Sequence, residues 1–241
     1  MSSPKPPRPW QVLPHHPLEQ LDDNLWQISA SFPGTDALRR QMHIIRLDDG
    51  RLVFHNGIPV DDATLAAIKA LGTPAILIVP HKDHNLHAHA FASRLNLAVY
   101  CPAEAVPFLS PTLKVTGDYA TFPRQRTVEL LPLAGLKHGE AAVKVTSADG
   151  KRTHLLFADA FMNNPRTGGV AGFVSWLVGF TGKPVVAPPV FRLQFLKDKP
   201  SFKASVRKLA DVPGLDKLVP SHGAVVSQGA AELLRRLTDA L

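Results

Sequence analysis

Three short apolar runs in the sequence each end in side chains that can bind a metal ion. The runs cover residues 74–79, 154–158 and 218–221. The polar residues that follow them are, in chain order, His81, Asp83 and His84, then Asp159, then His222. An apolar run of this length is typical of a buried strand, and loops at strand tips often carry functional side chains. Because imidazole and carboxylate groups are ordinary ligands for zinc, manganese and iron, the three strand ends together predict a common site.

The composition is that of an ordinary globular chain. Of the 241 residues, 45% are apolar and 20% are charged, which suffices for a sizeable core and argues against disorder. A Pro-rich stretch at 1–18 predicts an extended N-terminal arm, and 19–241 predicts one domain with an irregular apolar insertion at about 160–200. The sequence has no apolar stretch of about 20 residues, no signal-like N-terminus and one cysteine, Cys101, so we expect a cytoplasmic protein.

The formal net charge of +7 favours anionic ligands without naming one. Basic residues are scattered in short groups such as Arg39-Arg40 and Arg235-Arg236, and no zinc-finger spacing or aromatic RNA-binding motif accompanies them. We therefore expect a small-molecule substrate, with an anionic one favoured by the charge, and neither nucleic acid nor a membrane as partner. Aromatic residues between 173 and 195 predict core packing, an apolar substrate pocket or a homodimer contact.

The order of predicted elements indicates an α/β fold. Predicted strands cover 25–28, 42–47, 75–79, 98–100, 127–133, 142–146, 153–157 and 216–219, and predicted helices end near 71, 95, 210 and 241. Asp48-Asp49-Gly50 predicts a hairpin turn, and Asp61 or Asp62 can cap the first helix. Strands first and then strand–helix alternation, twice over, predict two mixed sheets packed together with helices outside.

On these motifs the chain resembles the metallo-β-lactamase fold superfamily, whose sheet–sheet sandwich binds metal ions at strand ends. That family carries an H-x-H-x-D-H motif, a later His, a bridging Asp and a terminal His. The segment Val79-Pro80-His81-Lys82-Asp83-His84 keeps this motif except for its first His, which Val79 replaces. Asp159 matches the bridging Asp, and His222 matches the terminal His. The resemblance is to a divergent member, and it implies a four-layered αββα sandwich of two mixed β-sheets.

The chain departs from the family pattern at two further places. In the segment 134–139, Leu136 takes the place of the mid-chain His, and His138 lies two residues away. Phe54-His55-Asn56-Gly57 lacks the Asp that many members carry before the Gly. The family's first metal site thus keeps only His81 of its three His. The residues that match the second site are all present, namely Asp83, His84, Asp159 and His222.

These matches imply one divalent metal ion, zinc first, with manganese or iron as alternatives. The leading hypothesis is a metal-dependent hydrolase that directs water at an ester, lactone, amide or phosphoester bond. The four second-site residues then bind the metal, while His81 orients water or stabilises charge. Asp83 acts as a general base if the metal lies elsewhere.

Two other hypotheses stay open at this stage. The lost ligands can leave a metal-free protein that binds a small molecule or a partner on the same scaffold. An RNA-processing member of the superfamily is a third hypothesis, which the basic charge prompts. Within the motif, Asp83 could instead cap a helix that begins near His84, and His87 on that helix could replace a missing ligand.

Overall fold

The computed structural model of the chain describes residues 8–177 and 179–241. Residues 1–7 of the predicted arm therefore lie outside the described part. The rest of the arm contacts the first sheet and a helix beside it. The N–H of Ser31 donates to the carbonyl of Pro14 at 2.9 Å, and the ring of Trp10 stacks on Phe91 with centroids 5.7 Å apart. No helix in the described ranges is long and apolar enough to cross a membrane.

The regular elements of the described residues comprise strands, α-helices and one 3-10 turn, Ala103–Ala105. The strands are β1 Glu19–Asp22, β2 Leu25–Phe32, β3 Thr35–Arg46, β4 Arg51–His55, β5 Thr73–Ile78, β6 Ala98–Cys101, β7 Gly117–Asp118, β8 Val128–Pro132, β9 Ala141–Thr146, β10 Thr153–Phe157, β11 Phe161–Met162, β12 Val185–Val186 and β13 Leu215–Pro220. The helices are α1 Asp62–Leu71, α2 Ala88–Leu95, α3 Val106–Leu109, α4 Gly169–Leu177, α5 Pro189–Phe195, α6 Lys199–Leu209 and α7 Ala230–Asp239.

The first sheet has seven strands in the order β1-β2-β3-β4-β5-β6-β7. Neighbours from β1 to β4 pair antiparallel, and neighbours from β4 to β7 pair parallel. The predicted turn at Asp48-Asp49-Gly50 joins β3 to β4, and Gly50 has the positive φ of 81° that this turn requires. Helix α1 connects β4 to β5, and its predicted cap is confirmed because Asp61 accepts the N–H of Thr64 at 2.7 Å.

The second sheet has four strands in the order β13-β10-β9-β8. β9 pairs antiparallel with both β8 and β10, while β10 pairs parallel with β13. The irregular insertion predicted at 160–200 contains α4, α5 and a two-stranded ribbon of β11 and β12. This insertion lies directly after β10, at the strand end that carries Asp159.

Three apolar clusters define the layers of the molecule. The cluster that contains Ile45 and Val143 fills the space between the two sheets. A second cluster packs α1 and α2 on the outer face of the first sheet and includes Phe91. The third packs α6 and α7 on the outer face of the second sheet and includes Phe202 and Leu234. The predicted four-layered αββα sandwich is therefore confirmed.

The loops after β5, β10 and β13 meet at one edge of the sandwich. Because β10 and β13 are parallel neighbours, their carboxyl ends coincide, and the N–H of Ser221 donates to the carbonyl of Phe157 at 2.7 Å. The N–H of Gln41 on β3 donates to the carbonyl of Ser221 at 2.9 Å and links this edge to the first sheet. Helix α2 begins at Ala88 rather than near His84, so the motif after β5 lies in a loop and Asp83 caps no helix.

Candidate metal centre

Of the five side chains singled out at the strand ends, three imidazoles converge on the carboxylate of a fourth residue, Asp159. His81 Nε2 lies 3.0 Å from Oδ2 of Asp159. His84 Nε2 and His222 Nε2 lie 3.3 Å and 3.2 Å from its other oxygen, Oδ1. The Nε2 atoms of His84 and His222 lie 3.4 Å apart. His81 and His84 come from the loop after β5 in one sheet, while Asp159 and His222 come from strand ends of the other. The cluster therefore bridges the two sheets.

The charges of these side chains depend on one another. Burial by itself would raise the pKa of Asp159, but the three imidazoles outweigh it and hold that pKa well below its usual range. Burial lowers the pKa of His84 to about 4, so its ring is neutral. Burial also opposes charge on His81, yet the hydrogen bond and the charge of Asp159 prevail and raise its pKa. The cluster thus contains an ionised carboxylate and at least one neutral imidazole, the forms that bind a metal ion.

His222 is oriented by a backbone carbonyl. Its Nδ1 lies 3.3 Å from the carbonyl oxygen of Arg39, which can only accept, so Nδ1 carries a proton and donates it. Its Nε2 faces the oxygen of Asp159 at 3.2 Å and the Nε2 of His84 at 3.4 Å. A ligating histidine that donates its other N–H to a carbonyl is the usual arrangement at metal sites. His81, His84 and Asp159 place one ligand atom each within 4.8 Å of one another and could hold a metal ion. His222 lies beside them, with Nε2 3.2 Å from Asp159 and 3.4 Å from His84 Nε2, so His84, Asp159 and His222 form a second possible ligand set.

Asp83 is separate from the cluster. Its carboxylate lies 2.8 Å from Lys82 Nζ and 3.8 Å from His81 Nδ1, and its side chain is 47% exposed. It nevertheless lines the cavity beside Asp159 and His222. The Asp83 carboxylate, predicted as a metal ligand, therefore lies beside the cluster at the cavity wall rather than in contact with Asp159.

Where the sequence departs from the family's ligand pattern, no described side chain takes the place of the missing histidine in the cluster. Val79 is buried in apolar surroundings, and Leu136 pairs with Leu196 in an isolated β-bridge. His138 lies at the rim, with its ring centroid 6.1 Å from that of Phe195. His87 is buried and its Nδ1 contacts Arg40 Nη2 at 2.8 Å rather than any side chain of the cluster.

Glu140 holds the backbone around Asp159 in place, and the sequence analysis did not identify it. Its buried carboxylate accepts the N–H of Ala158 at 3.0 Å and that of Ala160 at 3.1 Å, and thereby fixes the backbone on both sides of Asp159. Burial raises the pKa of Glu140 to about 7. Glu140 follows directly after the turn at 134–139, where the resemblance drew attention to His138, and no local motif marked it.

Two cavities flank the cluster. The larger, about 250 Å³, is mainly apolar and has aromatic walls that include Phe180, Phe191 and Phe195. The smaller, about 170 Å³, is lined by Arg40, Asn56, His84 and Leu86. Four residues line both cavities, namely Phe32, Asp83, Asp159 and His222. A molecule that extends from one cavity into the other would pass directly over the cluster.

A second His/Asp group, Asp22, His154 and Asp216, lies elsewhere in the described part of the chain. Its carboxylates already have cationic partners: Arg152 Nη2 lies 2.7 Å from Asp22, and Lys217 Nζ lies 2.5 Å from Asp216. A metal ion would have to displace these ion pairs. The cluster at Asp159 is therefore the better candidate metal centre.

No family model and no curated protein sequence matches the chain. Solved structures do match its fold. The metallo-β-lactamase from Pontibacter korlensis aligns over 93% of this chain and 99% of its own, with TM-score 0.59 and 14% identity. The DIM-1 metallo-β-lactamase aligns over 95% and 99%, with TM-score 0.62 and 12% identity. The FIM-1 metallo-β-lactamase from Pseudomonas aeruginosa, in its mono-zinc form, aligns over 95% and 96%, with TM-score 0.58 and 11% identity.

The architecture and the cluster together define a two-sheet αββα sandwich with a candidate metal centre at its strand ends. The chain has the metallo-β-lactamase fold, and the resemblance drawn from its motifs is confirmed at the level of the fold. Because these structures share only 11–14% of their residues with the chain, its chemistry has to be argued from its own side chains.

Proposed function

We propose that the chain is a metal-dependent hydrolase that uses one divalent ion, with zinc preferred. The observation that carries the proposal is the convergence of three imidazole Nε2 atoms on the two carboxylate oxygens of Asp159, within 3.0–3.3 Å. An ion held there supplies a Lewis acid and an activated water for hydrolysis. The mono-zinc form in which the FIM-1 enzyme was solved supports a one-ion version of this fold.

The remaining side chains have separate tasks in this proposal. His84, Asp159 and His222 hold the ion, and Asp83 completes the set if its carboxylate turns away from Lys82. His81 keeps Asp159 ionised and oriented through its 3.0 Å hydrogen bond. In its present position Asp83 stands at the wall shared by both cavities, where it can accept the proton of the attacking water. An ester, lactone, amide or phosphoester spanning the two cavities is the expected substrate class.

The first test is elemental analysis of protein purified without chelator or metal-affinity resin. We expect about one divalent ion per chain in the unchanged protein and none in the double variant Asp159→Asn, His222→Ala. Asp216→Asn, which alters the second His/Asp group, is the matched control and should keep the ion. An Asp83→Ala variant that retains the ion but loses turnover of ester, lactone or phosphoester substrates would assign Asp83 to proton transfer.

The second candidate function is metal-free binding of a small molecule or a partner on this scaffold. The specific observation in its favour is that His81 and Asp159 satisfy each other directly while Val79 and Leu136 replace two ligands of the family pattern. Protein that stays free of metal after incubation with zinc, manganese and iron would favour this candidate and remove the hydrolase proposal.

A further inference from the structure

Arg40 is a buried arginine without an acidic partner beside the candidate metal centre. It lies on β3 and only 3% of its surface is exposed. Its Nη2 donates to His87 Nδ1 at 2.8 Å, whereas its Nε has no hydrogen-bond partner among the described residues. A buried charge is normally paired, because transfer of an unpaired ion out of water is costly. The guanidinium also lies over the ring of Phe32, with Cζ 5.9 Å from the ring centroid, but neither Phe32 nor His87 supplies a negative charge. The lack of an anionic partner therefore needs an explanation.

Burial distinguishes Arg40 from the arginines of the described chain that form ion pairs. The side chains of Arg126 and Arg152, which pair with Asp48 and Asp22, are 51% and 40% exposed. Among the described residues no carboxylate lies within ion-pair distance of Arg40, and the charge that acts on it comes from Arg8. Burial, and then Arg8, lower the pKa of Arg40 to about 10, which still leaves it charged at neutral pH. The region is thus positive and uncompensated.

Arg40 also faces a cavity that opens on the cluster. The 170 Å³ cavity is lined by Arg40 together with His84, Asp159 and His222. Its two carboxylates are already engaged, since Asp159 accepts from three imidazoles and Asp83 pairs with Lys82. Neither can neutralise the guanidinium. An anion supplied from outside the chain is what this cavity lacks.

We propose that Arg40 binds an anionic group, carboxylate or phosphate, of the substrate while the substrate's apolar part occupies the 250 Å³ cavity. The placement of the scissile bond between these groups rests on the hydrolase function proposed above, but the binding of the anion does not. The guanidinium suits this role because its planar fork bonds two oxygens of a carboxylate or phosphate at once. The hydrogen bond to His87 holds the fork in one orientation.

The test is calorimetric titration of chelator-treated protein with hexanoate, hexyl phosphate and the neutral hexanamide. We expect either anion to bind about tenfold or more tightly than hexanamide, because charge-assisted hydrogen bonds are roughly twice as strong as neutral ones. The two anions distinguish carboxylate from phosphate recognition. Arg40→Met should lower the affinity for both anions to that for hexanamide. Arg40→Lys should keep only part of the anion preference, because lysine keeps the charge but lacks the planar guanidinium.

Arg46→Met is the matched control. Arg46 lies on the same strand and, six residues on, projects from the same face, but it is exposed at the far end of β3. The Arg46→Met protein should bind both anions with the affinities of the unchanged protein. As a measurement that needs no variant to fold, the side-chain Nε–H signal of Arg40 in nitrogen NMR should shift on addition of hexanoate and stay in place with hexanamide.

The outcomes separate this inference from the proposed hydrolase. An anion preference that survives in the Asp159→Asn, His222→Ala protein supports Arg40 as the binding residue even if no metal is ever found. Equal affinities for hexanoate, hexyl phosphate and hexanamide in the unchanged protein, or an anion preference that persists in Arg40→Met, would overturn the inference and leave the metal centre untouched.

Discussion

His43 and His55 form a buried neutral pair near the site. Both are fully buried, their Nδ1 atoms lie 3.2 Å apart, and their rings stack. Burial lowers the pKa of His43 to about 3, and burial together with His43 lowers that of His55 well below its usual range. An unfolded histidine binds a proton near pH 6.5, whereas these two folded histidines do not. Acid therefore favours the unfolded chain, and stability is lost as the pH falls below about 6.5.

We expect His43 to remove about 2 kcal/mol from the free energy of unfolding between about pH 7 and pH 5, and His55 to act in the same direction. In the double variant His43→Leu, His55→Leu, the loss over the same interval should be smaller by at least about 2 kcal/mol. Urea unfolding at both pH values measures this difference, with the exposed His16→Leu as control. An acid dependence that is unchanged in the double variant would contradict the assignment.

Arg40 should destabilise the folded protein, because its buried charge has no acidic partner in the described chain. We expect Arg40→Met to raise the free energy of unfolding by about 1 kcal/mol, because an apolar side chain of similar length removes the desolvation penalty. Arg46→Met should change it by less than about 0.5 kcal/mol. Denaturant unfolding of both variants at neutral pH measures these changes in the free energy of unfolding. A clear loss of stability in Arg40→Met would mean that its bond to His87 stabilises the fold.

The sequence predicted the residues of the site better than the residues around it. His81, His84, Asp159 and His222 follow apolar runs, and that local pattern suffices to place them at strand ends. Glu140 and Arg40 act on partners 20 and 47 positions away, through contacts that exist only when the sheets are packed. No periodicity or motif marks such contacts, so only the fold reveals them.

At the scale of elements, the turn after β13 is the most constrained part of the site. Gly223 follows His222 with φ of 100°, and a Cβ there would meet the carbonyl oxygen of Asn163 at 2.0 Å. The close approach is required because Asn163 and Gly223 form a β-bridge that joins this turn to the end of β11. A side chain at this position must push the turn, and with it His222, away from Asp159.

We therefore expect Gly223→Ala to destabilise the protein by more than about 2 kcal/mol and to weaken metal binding at least tenfold. Gly150→Ala is the control, because Gly150 has φ of 74° but open space around its Cα. It should cost only about 1 kcal/mol and leave metal affinity intact. Thermal melts and metal titrations of the two variants give the comparison. Similar behaviour of both would show that backbone conformation alone, and not the contact with Asn163, matters.

The predicted elements differ from the observed ones where pairing outweighs sequence pattern. The strands predicted at 25–28 and 42–47 extend in the structure to β2 Leu25–Phe32 and β3 Thr35–Arg46. The additional residues include Arg39 and Arg40, whose charges hide the alternation of a strand, yet their backbones pair with β2. The two-residue strands β7, β11 and β12 are too short to leave any periodic signal.

For the whole molecule, the sequence predicted the layered fold because each half supplies apolar runs of the right length and order. What it left open is how the halves meet. The apolar cluster between the sheets draws on both, from Ile45 and Ile78 in one to Val143 and Val219 in the other. The site lies along the same boundary between the sheets, since His81 and His84 follow β5 of the first sheet, while Asp159 and His222 follow β10 and β13 of the second.

An ion bound at this boundary should therefore stabilise the molecule as a whole. Free zinc at about 100 times its dissociation constant should add about 2.7 kcal/mol to the free energy of unfolding. For a chain of this size that corresponds to a rise of about 5–10 °C in melting temperature over chelator-treated protein. The Asp159→Asn, His222→Ala protein should show no rise, and the Asp216→Asn control should show the full one. If zinc stabilised the double variant equally, the ion would be bound elsewhere, and the cluster that joins the two sheets would have to be explained without it.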